Sequence, residues 1–497
     1  MKKSPFFAFL FFLLHHLQVA AQDPGVRPNV LFIFVDDLRP ELGCYGNPVI
    51  QTPHIDNLAS RSVVFLNHYV QVPTCGASRF SLLTGMYPRT RAHLRNDAIE
   101  RYISPQPEGA RPETFIHHLR RNGYYTVGIG KISHSADGLL YPYTGNPEGA
   151  ARELPHSWDE LLFDAGKWKT GWNAFFGYAD GTNRQSMKGK VKPYEASDVE
   201  DGDYVDGLTA DLVISKLKQL SERQRPFFLG VGFFKPHLPF NAPRKYWDLY
   251  DRSKIPFSPS MKLPHDVSTA SFHNSGEFNS YRSGEEHPTL AAPVSEAYAR
   301  KITHAYYASV SYTDAQIGKL LQALKDYGLE ENTIVILWGD HGWHLGDHRV
   351  WGKHTLSERA LKSPLIIKAP GMKIRGKTSD AIVSSIDIYP TLMDLCKVPM
   401  PYETDGATFI RLMENPDSKS FVQPAYSFYN NGITMRTDRY RITRYFRKEQ
   451  PVTELYDHKN DPNENFNIAA DDKKRVRHLL RQWKKGDTGL YGDGGSR

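Results

Sequence analysis

Residues 29–35 read Asn29-Val-Leu-Phe-Ile-Phe-Val35, an unbroken apolar run that ends in Asp36-Asp37. So short and so apolar a run is the pattern of a strand buried on both faces, and it delivers two carboxylates at its C-terminal end. The same alternation recurs downstream. Helical spacing over 112–122 stops at Gly123 and leads into the strand-like Tyr125-Thr-Val-Gly-Ile-Gly130. A second amphipathic helix, 209–220, leads into an apolar run over 227–234. A third, 305–327, leads into Thr333-Ile-Val-Ile-Leu-Trp338 and then Gly339-Asp340-His341. This alternation predicts an α/β fold, with a sheet covered by helices on both faces and a ligand site beyond the carboxyl ends of its strands. Asp36, Asp37, Lys131, Lys235, His237, Asp340 and His341 all fall at or just past such ends.

Two stretches, 135–205 and 256–298, are rich in Gly, Pro, Ser and aromatics without a clear period, and read as long surface loops framing the site. After about residue 400 the pattern changes to paired strands, Gly432-Ile-Thr-Met-Arg436 and Tyr440-Arg-Ile-Thr-Arg-Tyr445, and a basic helix over 473–485. The expected organisation is a main α/β domain over 22–400 and a small α+β subdomain over 401–497.

The 497 residues carry 62 Lys+Arg against 55 Asp+Glu, are 40% hydrophobic and have a mean hydropathy of −0.51. These values suit a large globular chain and exclude a disordered one or a multi-span membrane protein. Three cysteines cannot build a disulfide scaffold or a four-thiolate zinc site. The formal charge of +7 is too small and too scattered to indicate nucleic acid, since no Lys/Arg block carries interleaved aromatics. The N-terminus combines Met1-Lys-Lys3, an apolar run over 6–14 and Val19-Ala20-Ala21. That is a secretory signal peptide, residues 1–21, too short to span a bilayer, so the mature protein is expected to be secreted or periplasmic.

The chemistry centres on Cys75-Gly76-Ala77-Ser78-Arg79, followed by Leu83-Thr84-Gly85. Further blocks are Gly130-Lys131-Ile-Ser-His134, Lys235-Pro-His237, Gly339-Asp340-His341-Gly342, Trp351-Gly-Lys353, and Glu454-Leu-Tyr-Asp457 with Asp461-Pro-Asn-Glu464 and Asn467. In this order they resemble the type I, formylglycine-dependent sulfatases over nearly the whole chain, with the nearest likeness in the iduronate-2-sulfatase branch. The resemblance implies an alkaline-phosphatase-like sulfatase fold, a large mixed sheet sandwiched by helices. It also implies that Cys75 is the modified residue, oxidised to Cα-formylglycine by a formylglycine-generating or anaerobic maturation enzyme. Ala77 stands where the family more often has Pro.

The residue types suit the chemistry independently. A sulfate ester is an anion whose leaving oxygen gains charge as the S–O bond breaks, so the site needs cations and a proton donor. Asp36, Asp37 and Asp340 converging from two strand ends need a hard divalent cation with oxygen ligands. The resemblance implies one calcium, with residue 75 and His341 completing its shell; imidazole is an unusual calcium ligand, so His341 just outside the shell is the alternative, and magnesium or manganese fits the same donors. It further implies a hydrated aldehyde at position 75 attacking sulfur, with Arg79 holding it and Lys131 and Lys353 clamping the sulfate oxygens. His237 then protonates the leaving sugar oxygen, and His134 takes the proton that releases sulfate. Lys235, Trp343 and His344 are expected against the substrate. His344 and His348 lie four apart, but Gly346 between them and the absence of a His-Glu-x-x-His order make them a poor zinc pair.

The expected function is hydrolysis of sulfate esters on a sulfated oligosaccharide, with an exo-acting uronate 2-O-sulfatase as the specific form. Glycosaminoglycans and algal polysaccharides such as ulvan are both candidate sources. A phosphomonoester or phosphonate hydrolase of the same fold is one alternative, although ligands for a single metal favour sulfate. A sulfoglycan-binding protein without catalysis is the other.

Overall fold

The computed structural model describes residues 27–492, so the expected signal peptide lies outside the described residues. The strand read first is β1, Asn29–Val35, buried along its whole length at the centre of an eight-stranded sheet. The other strands are β2 (Val63–Tyr69), β3 (Tyr125–Gly130), β4 (Glu160–Leu162), β5 (Phe227–Phe233), β6 (Thr333–Gly339), β7 (Leu365–Lys368) and β8 (Lys377–Ser384). They lie in the order β8-β2-β7-β6-β1-β5-β3-β4. Pairing is parallel except around β7, which runs antiparallel to both β6 and β2, so the sheet is mixed.

Register brings the site together. Val35 pairs with Gly339 and Phe233, and Gly130 pairs with Gly232, so β1, β3, β5 and β6 end at one level. Asp36, Lys131, Phe234 and Asp340 are the next residues out. Gly232 has a packing reason: a Cβ there would come within 2.0 Å of the Lys131 carbonyl.

Helices cover both faces. The principal ones are α1 (Cys75–Thr84), α2 (Phe115–Arg121), α3 (Gly171–Phe175), α4 (Val205–Ser221), α5 (Gly276–Asn279), α6 (Glu296–Asp326), α7 (Ile388–Cys396) and α8 (Lys473–Trp483). Two apolar clusters form, one on each side of the sheet, because alternate side chains of β1 point opposite ways: Leu31, Ile33 and Val35 enter one, Val30, Phe32 and Phe34 the other. The helix expected over 305–327 begins earlier, at Glu296, where the Ser295 hydroxyl accepts from the Tyr298 amide as an N-cap. Insertion 135–205 is not all loop: β4 adds an edge to the main sheet, and three residues are too few to show a period.

The chain after residue 424 forms a four-stranded antiparallel sheet, β9 (Ala425–Tyr429), β10 (Gly432–Arg436), β11 (Tyr440–Tyr445) and β12 (Thr453–Asp457), with α8 against it. Buried charge ties this sheet to the rest. Arg441, 1% exposed, donates from Nε to Glu464 at 2.6 Å and from Nη2 to Glu358. Arg441→Met removes the cation that Glu464 and Glu358 share, leaving Glu358 with Arg436 at 3.4 Å and Glu464 with His458 at 2.9 Å, and is expected to cost about 3 kcal/mol. Thermal unfolding should therefore begin several degrees lower, and an unchanged melting curve would show the network to be dispensable.

All three cysteines are unpaired; Cys75 and Cys396 are buried and Cys44 is half-buried. No helix among the described residues is long and apolar enough to cross a membrane.

Candidate active site

Cys75 opens α1 and is 3% exposed, with Sγ 3.3 Å from His341 Nε2. Gly76 follows because any side chain there would run into the backbone of Asn96, 2.1 Å from the position of a Cβ. One helical turn on, Arg79 is fully buried. Its guanidinium donates to Asp340 at 3.0 and 3.2 Å, to Asp36 at 3.3 Å, and to the carbonyls of Lys131 and Ile132 at 2.6 and 3.0 Å. The planar fork thus ties together the ends of β1, β3 and β6. Asp36 also receives Lys131 Nζ at 2.5 Å, and Asp37 receives Lys353 Nζ at 2.8 Å. The Asp37 amide donates to Asp340 Oδ1 at 2.9 Å, with Asp37 itself in the left-handed region at φ 57°.

Ligand atoms of Asp36, Cys75, Asp340 and His341 lie within 4.8 Å of one another. His341 Nε2 is also 3.3 Å from Asp37. Burial pushes the Asp340 carboxyl up to about 7, reinforced by Asp36 beside it, and raises Asp37 as well. Burial also opposes charge on Asp36, but Lys131 overcomes it and holds that carboxyl well below its usual range. His341 contacts the Gly342 carbonyl through Nδ1 at 2.9 Å. That nitrogen therefore carries the proton, and with burial lowering the ring to about 4, Nε2 keeps a lone pair that the Cys75 thiol meets at 3.3 Å. The carboxylates of Asp36 and Asp340 and the His341 lone pair converge beside Cys75, with Asp37 against the same imidazole, and these donors fit a hard divalent cation.

Around this core stand the other groups. His237 follows β5 in a turn pinned by Asp206 of α4, whose carboxylate accepts from the Phe234 and Lys235 amides. His237 Nδ1 contacts the Leu238 carbonyl at 2.7 Å, and Nε2 lies 3.0 Å from Glu277 and 3.8 Å from Asp37. Phe175, on α3, packs against both His237 and Lys131 with ring centres 4.5 Å away. His134 is half-buried with Nε2 3.3 Å from the Tyr143 hydroxyl; burial and Lys131 hold its pKa well below the usual value, leaving a neutral base.

Three residues expected against the substrate have partners within the protein. Lys235 Nζ is consumed by the carbonyls of His237 and Pro239, at 3.1 and 2.6 Å, so it props the turn instead of facing the cleft. Trp343 is fully buried, its ring against Phe240 and beneath Lys353 Nζ. His344 is also fully buried, between the Asp347 carbonyl and the Thr355 hydroxyl. Sequence adjacency to Asp340 and His341 had suggested lining; the loop instead turns inward, anchored by Arg39 on Asp347 at 3.0 Å.

Glu277 is the residue that sequence reading missed. On α5, within the insertion 256–298, its carboxylate reaches both His237 and Lys353 Nζ, the latter at 3.3 Å. Burial alone would raise this carboxyl, but Lys353 and His237 hold it well below the usual range. With His273, His354, Tyr429 and Asn430 it also lines a cavity of about 380 Å³.

A family model described as Sulfatase matches residues 28–398. The chain belongs to the sulfatase family. A second model, described as N-sulphoglucosamine sulphohydrolase, C-terminal, matches residues 346–485. The iduronate 2-sulfatase of Mus musculus is 30% identical over 421 residues, spanning 78% of this chain and 72% of that one. Among solved structures, the phosphonate monoester hydrolase of Agrobacterium radiobacter superposes with a TM-score of 0.72 at 23% identity, covering 93% and 95% of the two chains. A protein solved with its substrate D-glucosamine-2-N,6-O-disulfate gives 0.70 at 20% identity, covering 94% and 99%. These two likenesses establish the fold. The sulfatase is a sulfuric ester hydrolase.

Proposed function

We propose that this sulfatase removes 2-O-sulfate from the terminal uronate of a sulfated oligosaccharide, acting in the secretory or periplasmic space after Cys75 has been converted to Cα-formylglycine by a maturation enzyme. The observation that carries the reading is Cys75 Sγ against His341, amid Asp36, Asp37 and Asp340, with the cations Arg79, Lys131 and Lys353 paired to those same carboxylates. The uronate preference is supported by the 30% identity to an iduronate 2-sulfatase.

Asp36, Asp37, Asp340 and His341 would hold the calcium, which when bound supplies a Lewis acid for the sulfate oxygens. Cys75 would carry the aldehyde, which when present and hydrated would supply a hydroxyl nucleophile for sulfur and a second hydroxyl able to give up its proton. Arg79 fixes Asp36 and Asp340 while its charge offsets that of the nucleophile. Lys131, past the end of β3, and Lys353 would face the anionic sulfate and stabilise charge that builds on its oxygens. His237, anchored through Nδ1, presents Nε2 as the proton donor to the leaving sugar oxygen. His134, kept neutral by burial and Lys131, takes up the second proton.

Protein produced with a formylglycine-generating enzyme should show the aldehyde at position 75 by peptide mass spectrometry. It should release sulfate from oligosaccharides ending in a 2-sulfated uronate faster than from ulvan fragments or from phosphate and phosphonate monoesters. An aldehyde-bearing protein that prefers phosphate or phosphonate esters would overturn the assignment, and one that prefers another sugar sulfate would overturn the uronate specificity.

A further inference from the structure

Helix α8 carries a charge arrangement that the active site does not use. Lys473, Lys474, Arg477, Arg481, Lys484 and Lys485 are all exposed, and none forms an ion pair with another described residue. At helical spacing Lys473, Lys474, Arg477 and Arg481 fall on one face, within an arc of about 100° along about 12 Å of axis, and Lys484 and Lys485 follow in the short 3-10 turn that ends the helix. Arg475 lies off that face and is matched: it stands 3.7 Å from Asp472 and over the Tyr440 ring.

The stripe contributes nothing to docking the helix. Leu479 and Trp483 are buried on the opposite side, and the Trp483 indole donates to the Ile433 carbonyl at 3.0 Å. Lys473, Arg477 and Arg481 repel one another at successive i,i+4 positions, and Lys473 and Lys474 place positive charge at the end of the helix where the macrodipole is already positive. A sequence selected only for folding would put neutral or acidic side chains there. The unspent positive charge marks a surface built to meet an anion that is not part of the chain.

We propose that this stripe is a second binding site, away from the catalytic centre, for the sulfated polysaccharide chain itself. Its positive groups engage sulfates along the polymer while the active site acts on one of them. Two other polyanionic surfaces fit less well. The apolar face of α8 is buried in the protein, so it has nothing to insert into a lipid interface. Apart from His478 at its margin, the exposed face carries no aromatic side chain on which bases could stack. The sheet that seats α8 also reaches the catalytic cleft, since Tyr429 and Asn430, at the end of β9, line the cavity beside Glu277.

The test uses full-length mature protein and fluorescein-labelled dextran sulfate, followed by anisotropy as salt is raised. The variant K473Q/R477Q/R481Q/K484Q removes four charges at exposed positions with a good helix former. It should bind at least about tenfold more weakly at low salt and show a shallower salt dependence. Its melting temperature should be no lower than that of the unaltered protein, since the repulsion along the stripe is relieved, and its turnover of 4-nitrophenyl sulfate should be unchanged. A variant that exchanges Lys and Arg at the same four positions should bind normally. Equal binding by the neutral variant, equal binding of unsulfated dextran by the unaltered protein, or preference for duplex DNA over dextran sulfate would each overturn the proposal. Because binding is read without turnover, absence of sulfate release from sugars would count against the catalytic reading alone.

Discussion

Cys75→Ala is expected to abolish sulfate release, by at least about 10⁴-fold, while leaving a protein that folds and melts like the original. The two halves of this expectation rest on different features. The thiol is small, and its described contact is a weak hydrogen bond to His341 Nε2. Losing it at a nearly buried position should cost only about 1 kcal/mol. Arg79, the lysines and the carboxylates keep every partner they have. Binding and electrostatic stabilisation therefore survive, and only the attacking group is lost. Sulfate release measured by ion chromatography, together with a thermal melt, checks both halves. Release above about a hundredth of the original rate in a properly folded variant would remove residue 75 from the reaction. A large fall in melting temperature would instead mean that Cys75 holds the carboxylate cluster together, contrary to its sparse contacts.

How much of this was legible beforehand depends on how local each signal is. The apolar run of β1 and the similar runs of β5 and β6 are visible because strands buried on both faces have no polar alternation. Once these are parallel neighbours, register alone places Asp36 beside Asp340. β8 was not legible: it begins as Lys377-Thr-Ser-Asp at a sheet edge, with its first half largely exposed, and only its end is buried. The partners of Lys235, Trp343 and His344 were not legible because adjacency in sequence says nothing about direction. Whether a side chain enters the cleft or the core is decided by distant partners such as Asp206 and Arg39. Glu277 was invisible for the same reason. Its insertion has no period, and its importance comes from His237, forty residues away in sequence.

His237→Ala is expected to separate two classes of substrate. Turnover of sugar sulfates should fall by about 10²–10⁴-fold, the usual worth of a positioned proton donor. Turnover of 4-nitrophenyl sulfate should fall less than about tenfold, because that leaving group departs as a stable anion and needs no proton. The geometry favours proton donation over mere positioning. Nδ1 is committed to the Leu238 carbonyl, so the ring can exchange a proton only through Nε2. In front of Nε2 stands Glu277, whose carboxylate also contacts Lys353. It thereby occupies, with an anionic oxygen, the space between the proton donor and the cation expected to meet the substrate. An oxygen that gains negative charge as its bond to sulfur breaks would be matched by the same two groups. Glu277→Gln weakens that internal competitor without touching His237, so it should keep the preference pattern of the unaltered enzyme, whereas His237→Ala should lose it. Parallel kcat/KM measurements on a sugar sulfate and 4-nitrophenyl sulfate decide the matter. Equal losses on both substrates in His237→Ala would make the histidine a support for the substrate and leave the proton donor to be found elsewhere, with Lys353 the next cation in reach of the same oxygen.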